Sequence, residues 1–266
     1  MLAVGVDGCT AGWVGIAVDE QGFAGAVLAP TIDKLAGLLP AADGFGIDIP
    51  IGLLTEGFRA ADRLARRQVG PRAASVYLTP PRAVLEIDDH QRATRLAVQL
   101  SGAGVSRQAH GLRGKILEVD RWLRARPGNA GRMTAGGLRR LSGQRVGTAR
   151  TGEGAGSRPQ APAEGQRAVA PPVWEVHPEV SFTLLAGGHL PPKNSWNGAT
   201  RRRQMLHDAG IVLPDDLQVA GRAKVDDVLD AAAVAWSCRR LLYGDGRSWP
   251  DPPDLGPDGW PIAIWG

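Results

Sequence analysis

Apolar and polar positions in the first thirty residues alternate as they do in short strands joined by tight turns. Residues 2–6 form an apolar run that leads into Asp7, and residues 13–18 form a second run after a glycine-rich turn. Gly8 and Gly12 supply the backbone freedom that such a turn needs. Residues 23–28 repeat the pattern, so three consecutive antiparallel strands are predicted, the first ending at Asp7.

Helical and strand patterns alternate through the rest of the chain, which is typical of an α/β fold. A helix is predicted over residues 32–39, and a short buried strand over residues 44–47 ends at Asp48. A strand over residues 173–177 and a possible edge strand over residues 260–265 come later. Further helices are predicted over residues 59–66, 89–100, about 106–124, 178–185, 198–207 and 224–236. In the first of these, the spacing of Arg59, Asp62 and Arg66 is typical of a solvated helix face.

The composition is that of an ordinary globular protein, with 43% hydrophobic and 22% charged residues. We interpret the 266 residues as one domain, since they allow one large domain or two small ones. No apolar run approaches the roughly 18 residues that a membrane span needs, and the start lacks a signal-peptide pattern. Two cysteines exclude a disulfide framework or a cysteine zinc site. A cytoplasmic protein without a membrane partner is therefore expected.

Residues 127–172 differ from the rest of the chain in composition and charge. They are rich in Gly, Arg, Ala and Pro and contain seven arginines against two glutamates. Their net charge of +5 leaves −1 for the remainder, because the whole chain carries +4. Weak hydrophobic periodicity predicts a disordered insertion that interrupts the domain. An arginine-rich arm that binds phosphates and a tolerated surface-loop expansion both remain open.

Three carboxylates follow or end predicted strands, namely Asp7, Asp48 and Glu175. An Asp-Gly pair is also ordinary turn chemistry, so Asp7 by itself has an equally good structural explanation. Asp48 has a turn-forming explanation too, because it precedes Ile-Pro. However, two strand-end carboxylates in one sheet can converge, and convergence would create a polar site.

A helix over residues 224–236 adds further carboxylates. Asp226 and Asp227 lie in its first turn, where the helix dipole favours negative charge, and this explains both structurally. Asp230 lies among small apolar residues and needs a partner, for which a metal ion would serve. Without a companion set of Cys or His residues, a cluster of hard oxygen ligands suits Mg²⁺ or Mn²⁺.

The order of these elements and carboxylates resembles the RNase-H-like superfamily, and Asp227-Val-Leu-Asp230-Ala resembles the late carboxylate helix of its Holliday-junction-resolvase branch. More closely, the chain resembles an uncharacterised family of predicted RNase-H-like nucleases. The resemblance spans nearly everything except residues 127–172, and Cys9 stands where another small residue is expected. The matching motifs are Val6-Asp7-Gly8 with Gly12-Trp13, Asp48-Ile-Pro-Ile-Gly52, Arg59-x-x-Asp62-x-x-x-Arg66, Ser75-Val-Tyr-x-Thr-Pro-x-Arg82, Ser106-x-Gln108, Lys115-Ile-x-Glu118-Val-Asp120, Glu175-Val-His177-Pro-Glu179-Val-Ser-Phe182, Lys193 with Gly198 and Arg202, and Asp227-x-x-Asp230-Ala.

This resemblance implies a mixed sheet of three antiparallel strands followed by parallel strands, with helices on both faces. It also implies a nuclease that hydrolyses the phosphodiester bonds of nucleic acid with two Mg²⁺ or Mn²⁺ ions. The implied catalytic residues are Asp7, Asp48, Glu175, Asp227 and Asp230, of which all but Glu175 would be metal ligands, with Asp7 bridging the two ions. The implied substrate-binding residues are Lys115, Lys193, Arg202, Arg59, Arg66, Ser75 and Gln108. The implied supporting residues behind them are His177, Glu179, Glu118 and Asp120. The type of nucleic acid and the oligomeric state stay open.

Two other function classes remain open. A sugar- or acetate-kinase-like ATPase shares the start Asp7-Gly8-x-Thr10, but it needs two copies of the fold to enclose ATP, and one copy is found here. A catalytically inactive RNase-H-like binding protein is compatible with the near-neutral charge outside residues 127–172, because duplex binding normally requires a basic surface.

Overall fold

The computed structural model describes residues 1–126 and 170–266, and at its centre is a five-stranded mixed sheet. Its strands are β1 (Ala3–Cys9), β2 (Gly12–Val18), β3 (Phe23–Ala29), β4 (Gly44–Ile47) and β5 (Val173–Glu175). The strand order is β3-β2-β1-β4-β5. β2 is antiparallel to β1 and to β3, whereas β4 is parallel to β1 and to β5. The predicted mixed α/β sheet is therefore confirmed.

Helices flank this sheet. They are α1 (Ile32–Leu38), α2 (Ala60–Val69), α3 (Arg82–Leu85), α4 (His90–Ser101), α5 (Arg107–Gly111), α6 (Arg113–Ala125), α7 (Pro178–Ala186), α8 (Trp196–Asp208) and α9 (Val225–Tyr243). Short 3₁₀ helices cover Gly70–Ser75 and Gln218–Arg222. None of the helices within the described ranges is long and apolar enough to cross a membrane.

Helix α9 packs directly on β1, and two features of the sequence allow this. The helix presents a run of small buried residues, Ala231 to Ala235. Opposite this run lies Gly5, where a Cβ atom would come within 2.1 Å of the Ala231 carbonyl oxygen and the Ala235 nitrogen. Because no side chain separates the backbones, the start of α9 is held firmly above the end of β1.

The two faces of β1 belong to different layers of the core. Ala3 packs in the cluster that contains α9, whereas Val4 and Val6 pack against α1 and α6 on the other side. Successive side chains of a strand point to opposite faces. Asp7, two residues beyond Gly5, therefore lies on the face that α9 covers.

Two parts of the structure differ from the prediction. The helix expected over residues 106–124 is two helices, α5 and α6, which are separated at Leu112. The expected edge strand is β7 (Pro261–Trp265), but it pairs with an unpredicted strand, β6 (Ser248–Leu255), in a separate two-stranded sheet. Three prolines in β6 concealed it, because proline is rare inside strands.

Most of the proposed insertion, residues 127–169, lies outside the described residues. Its two flanks are described, and they lie close to each other. The Arg126 side chain donates a hydrogen bond to the Pro171 carbonyl oxygen at 2.8 Å, and the Phe45 amide donates one to the Pro172 carbonyl oxygen at 2.9 Å. Pro171 is thus attached to the end of α6, and Pro172 to the sheet through β4.

Candidate functional site

Three aspartates from three different elements line one cleft, which we call the carboxylate cleft. Asp7 lies in β1, Asp48 directly follows β4, and Asp230 lies near the start of α9. Val6 pairs with Ile47 in the parallel ladder, so the next residue of each strand, Asp7 and Asp48, lies at the same edge of the sheet. The structure therefore brings together four of the five predicted catalytic carboxylates, these three aspartates and Glu175, around a space of about 180 Å³.

These aspartates are held in a protein environment that disfavours their charged forms. Burial raises the pKa of Asp7 well above its ordinary value, and the charges of Asp48 and Asp230 raise it further. Burial also raises the pKa of Asp48 to about 7 and that of Asp230 to about 6. Like charges that share a buried site have this effect unless cations join them. The cluster therefore favours the binding of positive charge.

Lys193 supplies one such charge. Its Nζ atom lies 2.5 Å from Asp230 Oδ2 and 3.7 Å from Asp226 Oδ2. Burial lowers the pKa of Lys193, but the charges of Asp230, Asp7 and Asp48 outweigh burial and raise the pKa above its ordinary value. One atom of the cluster stays unsatisfied, because Asp230 Oδ1 is buried without a hydrogen-bond partner among the described residues.

A second lysine, Lys115 of α6, also lines the carboxylate cleft. Its Nζ atom donates a hydrogen bond to the Gly12 carbonyl oxygen and lies 4.4 Å from the ring centre of Trp13. Its side chain passes over Gly8, where a Cβ atom would come within 2.9 Å of Lys115 Cδ. Gly8 therefore leaves room for the lysine rather than forming the turn, whereas Gly12 has a φ of +122° that favours glycine.

The loop that carries Lys193 is fixed to the start of α8. The Ser195 hydroxyl donates to the Pro192 carbonyl oxygen at 2.6 Å, and Arg202 Nη1 donates to the Pro191 carbonyl oxygen at 2.8 Å. A Cβ atom on Gly198 would come within 1.9 Å of the Pro192 carbonyl oxygen. Arg202 is fully buried and does not line the carboxylate cleft, so it positions the loop instead of facing a substrate.

Glu175 has a fixed partner in Arg59. The two Glu175 oxygens accept from Arg59 Nη1 and Nη2 at 2.7 and 2.6 Å, and Asp62 binds the same guanidinium. Arg59 and Asp62 are 2% and 1% exposed, so the interpretation of this helix start as a solvated face is wrong. Asp62 Oδ2 in turn accepts from the Thr79 amide at 2.7 Å, which ties down the loop before α3. Arg59 and Glu175 line the carboxylate cleft, but their charged groups are already paired with each other.

Behind the aspartates, Glu179 joins two arginines. Its Oε1 atom accepts from Arg202 Nη2 at 2.8 Å and from Arg72 Nη2 at 3.1 Å. Arg72 lines the carboxylate cleft, and its Nε atom is buried without a partner among the described residues. No sequence pattern singled out Arg72, which lies in the 3₁₀ helix after α2. Its charge is a further candidate for binding an anionic substrate.

His177 also lines the carboxylate cleft. Burial lowers its pKa, its Nε2 atom lies 3.3 Å from the Ser75 carbonyl oxygen, and its Nδ1 atom accepts from the Glu179 amide at 3.2 Å. Ser75 and Gln108 also line the carboxylate cleft, as does Tyr77, which the motif contained but the predicted site omitted. His177 therefore holds the Ser75 loop in place.

The remaining predicted site residues lie away from the lining of the carboxylate cleft. Asp227 is half-buried beside it, and its charge contributes least to the raised pKa of Asp7. Arg66 donates to the Val76 carbonyl oxygen at 2.7 Å and so supports the loop that carries Tyr77. Glu118 accepts from the Trp13 ring and the Ile32 amide, and Asp120 pairs with Arg82 and Arg124. Glu118 and Asp120 therefore have structural partners of their own.

The charge of the carboxylate cleft bears on its ability to hold a metal. Six carboxylates and four cationic side chains line it, a formal charge of −2. Within residues 1–126 and 170–266, no three Asp, Glu, His or Cys side chains are close enough together to hold a metal ion as they stand. The oxygen donors, the net charge and the unpartnered Asp230 Oδ1 are of the kind that a divalent cation prefers, but the described carboxylates are not arranged to hold one in this structure.

Comparison with known proteins gives one match. The model of the family described as "Protein of unknown function (DUF429)" matches residues 5–158 and 155–255. The two matched ranges overlap at residues 155–158, inside the proposed insertion of residues 127–172. Neither the curated proteins nor the solved structures contain a match to the chain.

Proposed function

This chain belongs to that DUF429 family, and we propose that it is a metal-dependent nuclease of RNase-H-like fold that hydrolyses phosphodiester bonds in nucleic acid. The observation that carries the proposal is the convergence of Asp7, Asp48 and Asp230 in one cleft that Lys115 and Lys193 also line. Supporting it, the strand order β3-β2-β1-β4-β5 leaves the parallel strands β1 and β4 each with a carboxylate at the same edge.

Asp7, Asp48 and Asp230 would supply the oxygen ligands for Mg²⁺ or Mn²⁺. When bound, such ions lower the pKa of an attacking water and stabilise the charge that develops on a phosphodiester. Asp230 would offer its unpartnered Oδ1 atom first, because this atom gives up no hydrogen bond in binding a cation. Asp227, which lies outside the lining of the cleft, would add negative charge near the cation without binding it directly.

The cationic side chains of the carboxylate cleft would bind the substrate's phosphate. Lys115 and Arg72 both line the cleft, and Arg72 Nε is a buried donor that lacks an acceptor among the described residues. Lys193 would exchange Asp230 for a phosphate oxygen as the aspartates turn towards a metal. Charge-assisted hydrogen bonds to an anion are about twice as strong as neutral ones. Lys193 would exchange one such bond for another, so the gain would come from Lys115, which donates to the neutral Gly12 carbonyl oxygen, and from Arg72 Nε.

The test is a cleavage assay with single-stranded, duplex, hybrid and branched nucleic acids in Mg²⁺, Mn²⁺ or chelator. We expect cleavage that requires the metal and is lost in Asp7→Asn, prepared in the same way to exclude a contaminating nuclease. Asp88→Asn is the matched control, because Asp88 is an exposed carboxylate that pairs with Arg113 outside the carboxylate cleft. Equal activity in Asp7→Asn and wild type would contradict the proposal.

The kinase-like alternative is tested in the same reactions by measuring ATP turnover. The residues that the structure describes form one five-stranded sheet of the required kind, and an ATP-enclosing site of that class needs two copies. We therefore expect no metal-dependent ATP hydrolysis that Asp7→Asn abolishes. Such hydrolysis without nucleic-acid cleavage would replace the nuclease proposal by the kinase-like one.

A further inference from the structure

A groove beside the carboxylate cleft contains an exposed tryptophan. Trp196, the first residue of α8, is 89% exposed, and no other large apolar side chain in the described residues is as exposed. It lines a groove of about 660 Å³ between the end of α7 and the exposed side of α8, which we call the Trp196 groove. Tryptophan is highly buried on average, so this degree of exposure on a folded surface points to a ligand.

The Trp196 groove and the carboxylate cleft are connected by one loop. Pro191 lines the groove, Lys193 lines the cleft, and Trp196 follows Lys193 by three residues. Three residues span at most about 11 Å, so the exposed ring lies within reach of a ligand held at the aspartates. The bonds from Ser195 to Pro192 and from Arg202 to Pro191 hold this loop against the start of α8.

The chemistry of the Trp196 groove suits an anionic ligand with flat rings. Arg201 lines it, as do the hydrogen-bonding side chains of Asn197, Thr200 and Gln204, and none of its ten lining residues is acidic. An aromatic face next to arginine and amide groups is the combination that binds unpaired bases and the adjoining phosphates. A protein partner would need about 800 Å² of matching surface, whereas the large exposed apolar surface of this groove is one aromatic ring, with Leu190 and Pro191 beside it.

The size of the carboxylate cleft also indicates that the base of a bound nucleotide lies outside it. Its volume of about 180 Å³ is below the roughly 300 Å³ at which small-molecule sites begin, so it has room for a phosphate group but not for a base pair. Any nucleotide attached to a phosphate at the aspartates must extend outside the cleft. The loop that carries Lys193 provides a path to Trp196.

We propose that Trp196 is a stacking platform for an unpaired base of the strand whose phosphate lies in the carboxylate cleft. The inference rests on the proposed function and narrows its substrate class to single-stranded nucleic acid or to ends and junctions with unpaired bases. Trp196 would bind the base through its ring, and Arg201 would pair with the adjoining phosphate.

The experiment measures binding without cleavage, by fluorescence anisotropy of a labelled oligothymidine of about 12 nucleotides, a typical site size for single-strand binding, in chelator. Base stacking on an aromatic side chain is strong enough that Trp196→Ala should weaken binding by about 5- to 150-fold. Trp196→Phe should retain most of the affinity, and an abasic strand of equal length should bind wild type and Trp196→Ala alike. Val219→Ala is the control, because Val219 is an exposed apolar residue on the 3₁₀ helix beside β3.

Several outcomes would overturn the inference. Equal binding of oligothymidine by wild type and Trp196→Ala would do so, as would equal binding of abasic and intact strands by wild type. Dimerisation of the wild type that Trp196→Ala abolishes would assign the Trp196 groove to a second copy instead. These outcomes can be distinguished from a failure of the nuclease proposal. That proposal fails if Asp7-dependent cleavage is absent, whereas the binding of a strand at Trp196 is measured without cleavage.

Discussion

Asp7 accepts a local backbone hydrogen bond and also contributes charge to the cluster of aspartates. A single substitution separates these two roles. Its Oδ1 atom accepts a hydrogen bond from the Gly8 amide at 2.7 Å, while its charge faces those of Asp48 and Asp230. Asparagine keeps the acceptor oxygen and removes the charge. The effects of Asp7→Asn therefore report on the cluster of charges and not on the hydrogen bond from Gly8.

We expect metal-free Asp7→Asn to be as stable as wild type or up to about 1 kcal/mol more stable, because repulsion among buried carboxylates is relieved. Mg²⁺ or Mn²⁺ should raise the melting temperature of wild type but hardly that of Asp7→Asn, since a ligand stabilises only the state that binds it. Thermal unfolding in chelator and in a metal titration measures both. If the variant loses stability without metal and keeps the metal response, then Asp7 stabilises the local backbone through its bond to Gly8 and binds no metal.

The raised pKa of Asp48 predicts how the metal-free protein responds to pH. An unfolded Asp releases its proton near pH 4, whereas folded Asp48 has a pKa of about 7. Between these values the folded chain binds the extra proton, so the free energy of unfolding falls as pH rises. Asp7 and Asp230, whose pKa values are also raised, act in the same direction. His177, whose pKa is lowered, acts in the opposite one.

Asp48→Asn should therefore reduce the loss of unfolding free energy between pH 5 and pH 8 by about 2 kcal/mol, as a tenfold change in proton affinity is worth about 1.4 kcal/mol. Urea unfolding in chelator across this range measures it. His177 remains in both proteins, whereas loss of the Asp48 charge also lowers the pKa values of Asp7 and Asp230, which changes the pH dependence in the same direction. Parallel pH curves for the two proteins would contradict the prediction.

Single residues also mark where prediction from sequence ends. Asp7 and Asp48 were predictable as a pair, because each ends an apolar run and strand ends meet at the edge of a sheet. The bond between Glu175 and Arg59 was not, since it joins residues 116 positions apart, and nothing local indicates that Arg59 is buried. Arg72 was missed for the same reason. A side chain's place on its own element follows from local pattern, whereas its partner depends on tertiary structure.

At the scale of elements, the contact of α9 with β1 sets the position of Asp230. A Cβ atom on Gly5 would come within 2.1 Å of backbone atoms of α9 and has no flexible side chain to displace. Gly5→Ala must therefore shift the helix or the strand. We expect it to destabilise the protein by about 3 kcal/mol or more, as overpacking against backbone does, and to lower any cleavage activity.

Gly37 offers a matched control within the same protein. It lies in helix α1, and a Cβ atom at this position would meet nothing within 4 Å. Gly37→Ala should therefore gain stability by about 0.5–1 kcal/mol from helix propensity. Chemical denaturation of the two variants and wild type measures the contrast. Similar small effects at both positions would show that α9 does not need its close approach to β1.

Elements with a strong period and clear ends were predictable to within a few residues. Helix α1 and strands β3 and β4 are examples, since Pro40 and a polar turn mark their limits. The division of α5 from α6 was not predictable, because the residues around Leu112 keep a helical pattern and only packing separates the two helices. Strand β6 was missed because its residues are unfavourable for strands and its partner β7 supplies the reason for pairing.

At the scale of the whole molecule, the flanks of the proposed insertion determine whether it can be removed. Arg126 and Pro171 are joined by a hydrogen bond of 2.8 Å, so the chain leaves and re-enters the described structure at nearly the same place. The segment between them accounts for the protein's net positive charge. The closeness of the flanks favours a tolerated insertion, whereas the charge favours an arm that binds phosphates, and the structure of the segment lies outside the described residues.

Replacing residues 128–169 by a short Gly/Ser linker should therefore change the melting temperature by no more than about 2 °C, because flanks that already meet require little loop-closure entropy. The same deletion removes seven arginines and two glutamates, so metal-free affinity for the oligothymidine strand tests the arm hypothesis separately. An arm that binds phosphates would show as weaker binding with a shallower salt dependence, whereas a tolerated expansion would leave both unchanged. A large fall in melting temperature would show that the segment contributes to the core and that its interpretation as an insertion is wrong.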